Sequence, residues 1–127
     1  MKTVFVYGSL KAGFGNHRLL IGQNPIGVGT IHGFDMYSLG PFPAIKEGEG
    51  NVNGELYEVD EDTFAALDRL EGHPTMYKRE LILVHIPNVD EVEAWVYVYQ
   101  GMVSRDEQVG SDWTHEHLQR SAHALRG

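Results

Sequence analysis

The chain has 127 residues, no cysteine and a formal net charge of −8. That length suits one domain able to bury a core without staples, and the missing thiols exclude disulfides and thiolate zinc sites. The acidic balance argues against a nucleic-acid surface, no apolar stretch approaches a membrane span, and no leader-like start is visible, so the cytoplasm is the expected setting.

In chain order, residues 3–7 (TVFVY) are β-branched and aromatic with no 3.6-residue period, and are predicted to form a buried strand. A loop over 8–16 follows, then a short helix near 17–21. Residues 27–32 and 34–39 are predicted strands meeting at Gly33, and GPFP at 40–43 is a break. Residues 52–59 form a strand with neither face purely polar, so both sides are expected to be partly covered. Asp60 is a fitting N-cap for the main helix. Glu61 and Asp62 suit its first turn, and Gly72 and Pro74 end it at about Leu70 or Glu71. Residues 77–86 and 92–99 predict an antiparallel hairpin. From Gly101 the chain turns polar, and 114–125 reads as either a helix or a loose tail. Many strands, one main helix and no regular βαβ alternation predict a single α+β domain. Its sheet is expected to curl toward a barrel, with 101–127 as a polar extension.

Two stretches raise chemistry. In FVYGSLKAGFGNH the first strand stops at Gly8, and Gly13 and Gly15 follow. Phosphate-loop spacing fails because Phe14 stands where lysine is needed, and the dinucleotide fingerprint fails at Arg18. Two readings remain. The glycines serve a plain turn, or the amides of Gly8, Ser9 and Leu10 form a cradle for a carboxylate or an oxyanion.

In FAALDRLEGHPTMY, a turn of 100° per residue from Phe64 puts Leu67 at about 300°, Leu70 at about 240° and Glu71 at about 340°. Glu71 thus falls within the apolar arc, Asp68 lies on its edge, and Arg69 points away. A carboxylate facing a core resists ionisation, and the helix C-terminus pushes the same way. That suits a group which takes and returns a proton near neutral pH. Alternatively the helix frays and Glu71 bends into solvent.

VFVYGSLKAGFGNHRLL, VNGELYEVDEDTF and LDRLEGHPTMYKRELILV, in that order, resemble the γ-glutamylcyclotransferase-like proteins over roughly residues 1–99. The uninterrupted Ser9-Leu10 favours the γ-glutamylamine cyclotransferase and AIG2-like branch. The resemblance implies a small mixed β-barrel with one main helix. It also implies a cofactor-free, metal-free cyclisation of a small γ-glutamyl substrate to 5-oxoproline and a free amine. By the same resemblance Glu71 is the catalytic acid/base, Tyr7, Gly8, Ser9 and Leu10 hold substrate, and Tyr77 lies beside the pocket. Residues 11–17 match a run that packs the loop.

Other arrangements compete. Ser9 lacks a nucleophile elbow and an identifiable histidine partner. His115, His117 and His123 with Asp112 form a weak metal pattern that reads more simply as a solvated tail. Asp35, Glu47, Glu49, Glu55 and Glu58 are conceivable carboxylate partners for Glu71, with mid-strand Glu55 foremost. Trp95, Tyr97 and Tyr99 share a strand face as core or pocket wall, and Phe42 either rims the pocket or packs a turn. A non-catalytic small-ligand-binding domain and an enzyme for carrier-bound γ-glutamyl groups stay open as alternative functions.

Overall fold

The computed structural model describes residues 1–89 and 91–116. Among the described residues, six strands and one α-helix carry the fold: β1 (Lys2–Val6), β2 (Asn24–Ser38), β3 (Pro43–Val59), α1 (Glu61–Glu71), β4 (Tyr77–His85), β5 (Glu91–Tyr99) and β6 (Gln108–Val109). A 3-10 turn, Gly15–Leu20, stands where a short helix is predicted.

The strands close into a five-membered ring. β1 lies between β3 and β5, β5 pairs with β4, and β4 reaches β2 through Thr30 and His85. β2 pairs back onto β3 along most of its length. The β1–β5 contact, Val4 opposite Trp95, is parallel and the other pairings are antiparallel. Among the described residues no helix is long and apolar enough to cross a membrane.

β1 has no polar face because both its faces are covered. Phe5 joins the barrel interior with Leu56, Val96 and Val98, while Val4 and Val6 pack outside with Phe64 and Leu67 of α1. β5 divides likewise: Ala94, Val96 and Val98 point inward, and Trp95, Tyr97 and Tyr99 pack on the helix side. Such two-sided burial explains apolar runs without alternation.

The sequence marks α1 accurately. The Asp60 carboxylate accepts from the Thr63 amide at 2.7 Å, and Gly72 adopts the left-handed conformation (φ 64°) that ends the helix. Helical structure therefore continues through Glu71, and the frayed alternative does not apply.

Three expectations need correction. The strands predicted at 27–32 and 34–39 are one 15-residue strand whose register shifts between His32 and Phe34, at left-handed Gly33. β3 begins at Pro43 and has 17 residues, so it extends well before residue 52. After the buried Pro43–Ile45, its stretch KEGEGN (46–51) lacks apolar alternation because it pairs as a largely solvated ribbon with β2. Gly48 and Gly50 leave room there for the Asp35 carboxylate, which accepts from the Gly50 amide at 2.9 Å.

The third concerns the polar extension. Up to residue 116 it is not a loose solvated tail. Ser104 caps a 3-10 turn at Arg105–Glu107, β6 adds to β2, and Trp113 sits in the barrel core at 1% exposure. One large aromatic anchors a segment whose other residues are mostly polar. Residues 115 and 116 are helical, and the rest of the helix predicted over 114–125 lies outside the described residues.

Candidate active site

The loop after β1 is shaped by its own hydrogen bonds. The Lys11 amide donates to the Gly8 carbonyl, and the Asn16 amide to the Ser9 carbonyl, both at 3.0 Å. Asn16 Nδ2 donates to Ser9 Oγ at 2.8 Å, and His17 Nδ1 lies 2.9 Å from the Leu10 carbonyl. The loop is also tied from behind. Lys11 Nζ donates to the Trp113 carbonyl at 2.7 Å, and the Ala12 amide to Glu55 Oε1 at 2.9 Å. These contacts use carbonyls, side chains and later amides. Among the described residues, the amides of Gly8, Ser9 and Leu10 donate to no protein acceptor. Three successive backbone donors at the edge of a cavity are a ready site for an anion.

That cavity has a volume of about 320 Å³. Tyr7, Gly8, Ser9 and Leu10 line it from the loop, Glu71 from the last turn of α1, and Tyr77 from the start of β4. The six residues singled out in the sequence therefore share one hollow. Phe42 from the turn before β3, Pro43 at the start of β3, Leu70 of α1, Met76, and Tyr97 of β5 line it too.

Desolvation raises the Glu71 carboxyl from 4.5 to about 7. Among the described residues it has no ion-pair partner and no hydrogen bond. Burial raises the phenol pKa of both Tyr7 and Tyr77, and the Glu71 charge adds to the shift in each. Both rings are fixed through their hydroxyls: Tyr7 donates to the Tyr97 carbonyl at 2.6 Å, and Tyr77 to the Pro43 carbonyl at 2.7 Å. At neutral pH both phenols are protonated and their protons are committed to backbone, so Glu71 is the group in this cavity suited to proton transfer.

A supporting network lies behind the wall. Arg79 and Tyr97 face each other across β4 and β5, and both reach Asp68 on α1. The Arg79 Nε and Tyr97 hydroxyl donate to Asp68 Oδ1 at 3.0 and 2.7 Å. The guanidinium lies 4.6 Å from the Phe64 ring centroid and 4.8 Å from that of Trp95. Sequence reasoning did not find this triad. Its one visible trace was Asp68 on the edge of the helical arc.

The competing candidates separate. Glu55 does not join Glu71: it accepts from Ala12 and from the Tyr57 hydroxyl at 2.8 Å, behind the loop. Asp35, Glu47, Glu49 and Glu58 do not line the cavity either. Ser9 Oγ bonds Asn16 rather than a histidine. His115 stacks on Phe14 with centroids 4.1 Å apart, and among the described residues no cluster of three or more ligating side chains is placed for a metal. His117 and His123 lie outside the described residues.

The sequence profile of the family described as gamma-glutamyl cyclotransferase, AIG2-like, matches residues 4–115. This chain belongs to that family. A family relative from Methanocaldococcus jannaschii, provisionally named a gamma-glutamylcyclotransferase, is 41% identical over 102 residues, covering 78% of this chain and 85% of its own. The gamma-glutamylcyclotransferase family protein YtfP of Escherichia coli is 37% identical over 111 residues, covering 87% and 94%. The crystal structure of an AIG2-like protein from Mus musculus is similar with a TM-score of 0.74 at 30% identity, covering 84% of this chain and 82% of that one. The small mixed barrel with its single main helix is thus the gamma-glutamyl cyclotransferase fold, as expected from the residues.

Proposed function

We propose that this family member converts a γ-glutamyl amine to 5-oxoproline and free amine, with Glu71 as the single proton carrier. One observation carries the reading: a carboxylate of raised pKa, without a protein partner among the described residues, lines the same cavity as three free backbone donors.

The α-amine of the substrate enters as an ammonium. It supplies the positive charge that Glu71 lacks, and its approach favours the ionised carboxylate. Glu71 takes one proton, and the freed nitrogen lone pair attacks the γ-carbonyl carbon. A carbon–nitrogen bond forms, and the carbonyl π pair moves onto oxygen. The Gly8, Ser9 and Leu10 amides serve the developing oxyanion, the α-carboxylate, or both. The oxyanion then collapses and the bond to the leaving nitrogen breaks, with Glu71 returning its proton to that nitrogen. The second proton lost by the ring nitrogen passes to solvent or to the released amine. One acid/base suffices because the attacking and leaving nitrogens flank the same carbon. Ring closure is intramolecular, so holding a near-attack geometry can supply up to about 7–11 kcal/mol in favourable systems.

The test is incubation with γ-glutamyl amines in ¹⁸O-water followed by mass spectrometry. Cyclotransfer yields unlabelled 5-oxoproline, and hydrolysis yields labelled glutamate. Full turnover by Glu71→Gln would overturn the assignment of the proton carrier.

A further inference from the structure

Glu71 is the last residue of α1, and Gly72 turns the chain out of the helix immediately after it. Helix ends fray. The Glu71 carboxylate, bonded to nothing among the described residues, does not anchor this one. The anchor is Asp68, one turn earlier. Its carbonyl accepts from the His73 amide at 2.9 Å, just beyond the helix. Its carboxylate reaches the sheet, where Oδ1 alone accepts from Arg79 Nε of β4 at 3.0 Å and from the Tyr97 hydroxyl of β5 at 2.7 Å. Arg79 makes two further attachments. Its amide donates to His73 Nδ1 at 3.2 Å, and its guanidinium lies over Phe64, four residues before Asp68. Two strands thus grip the turn that carries Glu71 from before and behind.

The cradle is tied to the same point. The Tyr97 carbonyl accepts from the hydroxyl of Tyr7, the residue before Gly8, at 2.6 Å. Tyr97 therefore holds the end of α1 through its side chain and the end of β1 through its backbone. The titratable groups facing Glu71 are phenols: Tyr7 from β1, Tyr77 from β4 and Tyr97 from β5. Among the described residues no lysine, arginine, histidine or second carboxylate lines the cavity. With no charged partner to hold its side chain, Glu71 depends on its backbone for its place.

We infer that Asp68 is a positioning residue: held by Arg79 and Tyr97, it fixes the last turn of α1 so that Glu71 stays in the hollow, at a set place relative to the cradle. The role rests on the cyclotransfer reading only where turnover is concerned.

The test reads Glu71 directly, by ¹³C NMR titration of its side-chain carboxyl, beside kcat/KM for γ-glutamyl amines. Asp68→Ala removes the clamp. Asp68→Asn keeps an oxygen where Oδ1 receives both donors. Asp60→Ala weakens the same helix from its far end, where the aspartate caps the Thr63 amide. In Asp68→Ala the Glu71 titration should fall from about 7 toward 4.5, because a loosened turn admits water to the carboxylate. Its kcat/KM should fall by roughly tenfold or more, mainly through kcat, as a misplaced catalytic group requires. Asp68→Asn should titrate close to the unaltered protein and recover most of the activity. Asp60→Ala should lower Tm and leave the Glu71 titration where it was. A Glu71 titration unmoved in Asp68→Ala overturns the inference. So does an equal fall in Asp68→Asn, which would assign the effect to charge, or in Asp60→Ala, which would assign it to helix stability. Should Asp68→Ala fail to fold, Tyr97→Phe decides: it loses only the hydroxyl and keeps the carbonyl that holds Tyr7, and an unmoved titration there overturns the inference too. The expected titrations without turnover by any form keep the clamp and remove the enzymatic reading. Full turnover by folded Asp68→Ala removes the clamp and leaves cyclotransfer intact.

Discussion

Pro43 fills the space that a side chain at position 8 would need: a Cβ on Gly8 would lie 2.6 Å from the proline Cγ and 2.9 Å from its Cδ. Glycine is required there by a neighbouring ring. The strand stops where β3 begins, and the same contact sets the loop against the turn that carries Phe42. Gly8→Ala should therefore force the loop off Pro43. The expected cost is about 1–3 kcal/mol of stability, read as a lower Tm, with a larger proportional loss of kcat/KM than of folded protein.

Glu71→Gln should part activity from stability. Turnover should fall by a factor of ~10² or more, the usual worth of a positioned acid/base. Stability should rise at pH 8. The folded-state pKa is raised from 4.5 to about 7, so the folded protein holds more protons than the unfolded chain between those values. Stability contributed by the protonated form is then full below 4.5 and lost as pH climbs through 7. An ionised Glu71 costs up to about 3 kcal/mol. Denaturant titration should find the glutamine variant more stable at pH 8, with the gap closing toward pH 4.5.

The pH–rate profile should carry an acidic limb from the same group. In kcat/KM, which reports the free enzyme, activity should fall tenfold per pH unit below about 7 as Glu71 takes up a proton. In kcat the limb should move to lower pH, because a bound ammonium favours the ionised carboxylate. A kcat/KM flat from pH 8 to pH 5 would contradict this role.

Trp113→Ala should be among the most damaging single changes outside the cavity. The ring is 1% exposed within the barrel core, and its backbone carbonyl receives Lys11 Nζ. Removing a buried tryptophan side chain costs about 3–5 kcal/mol. Thermal denaturation should show a fall of ten degrees or more, and loosening of the loop should appear as faster exchange of the Gly8–Leu10 amides.

The parts legible in the sequence are those written locally. Asp60 and Gly72 state where α1 begins and ends, and the helical angle of Glu71 follows from its distance to Phe64 and Leu67. The burial of β1 on both faces is written in its unbroken apolar run. What escaped depends on register or on distant packing. Nothing near Lys46–Asn51 announces a strand, because its partner is a ribbon with little apolar face. Asp68, Arg79 and Tyr97 form a unit only once β4 and β5 pair in a register that sets Arg79 opposite Tyr97. Trp113 stands among mostly polar residues, and the space it fills is made by strands far earlier in the chain. The cradle residues could be named from the sequence, but the hollow they share with Glu71 required β1, α1 and β4 to be assembled.

The closed ring also orders events in time. β1 leaves the ribosome first, yet one of its edges waits for β5, and the Lys11 ammonium waits for a carbonyl 102 positions later. Contacts of such long sequence separation form late and slow the folding of a nascent chain. The loop after β1 is thus synthesised before the segments that brace it, and on a nascent chain it waits for β5 and for Trp113.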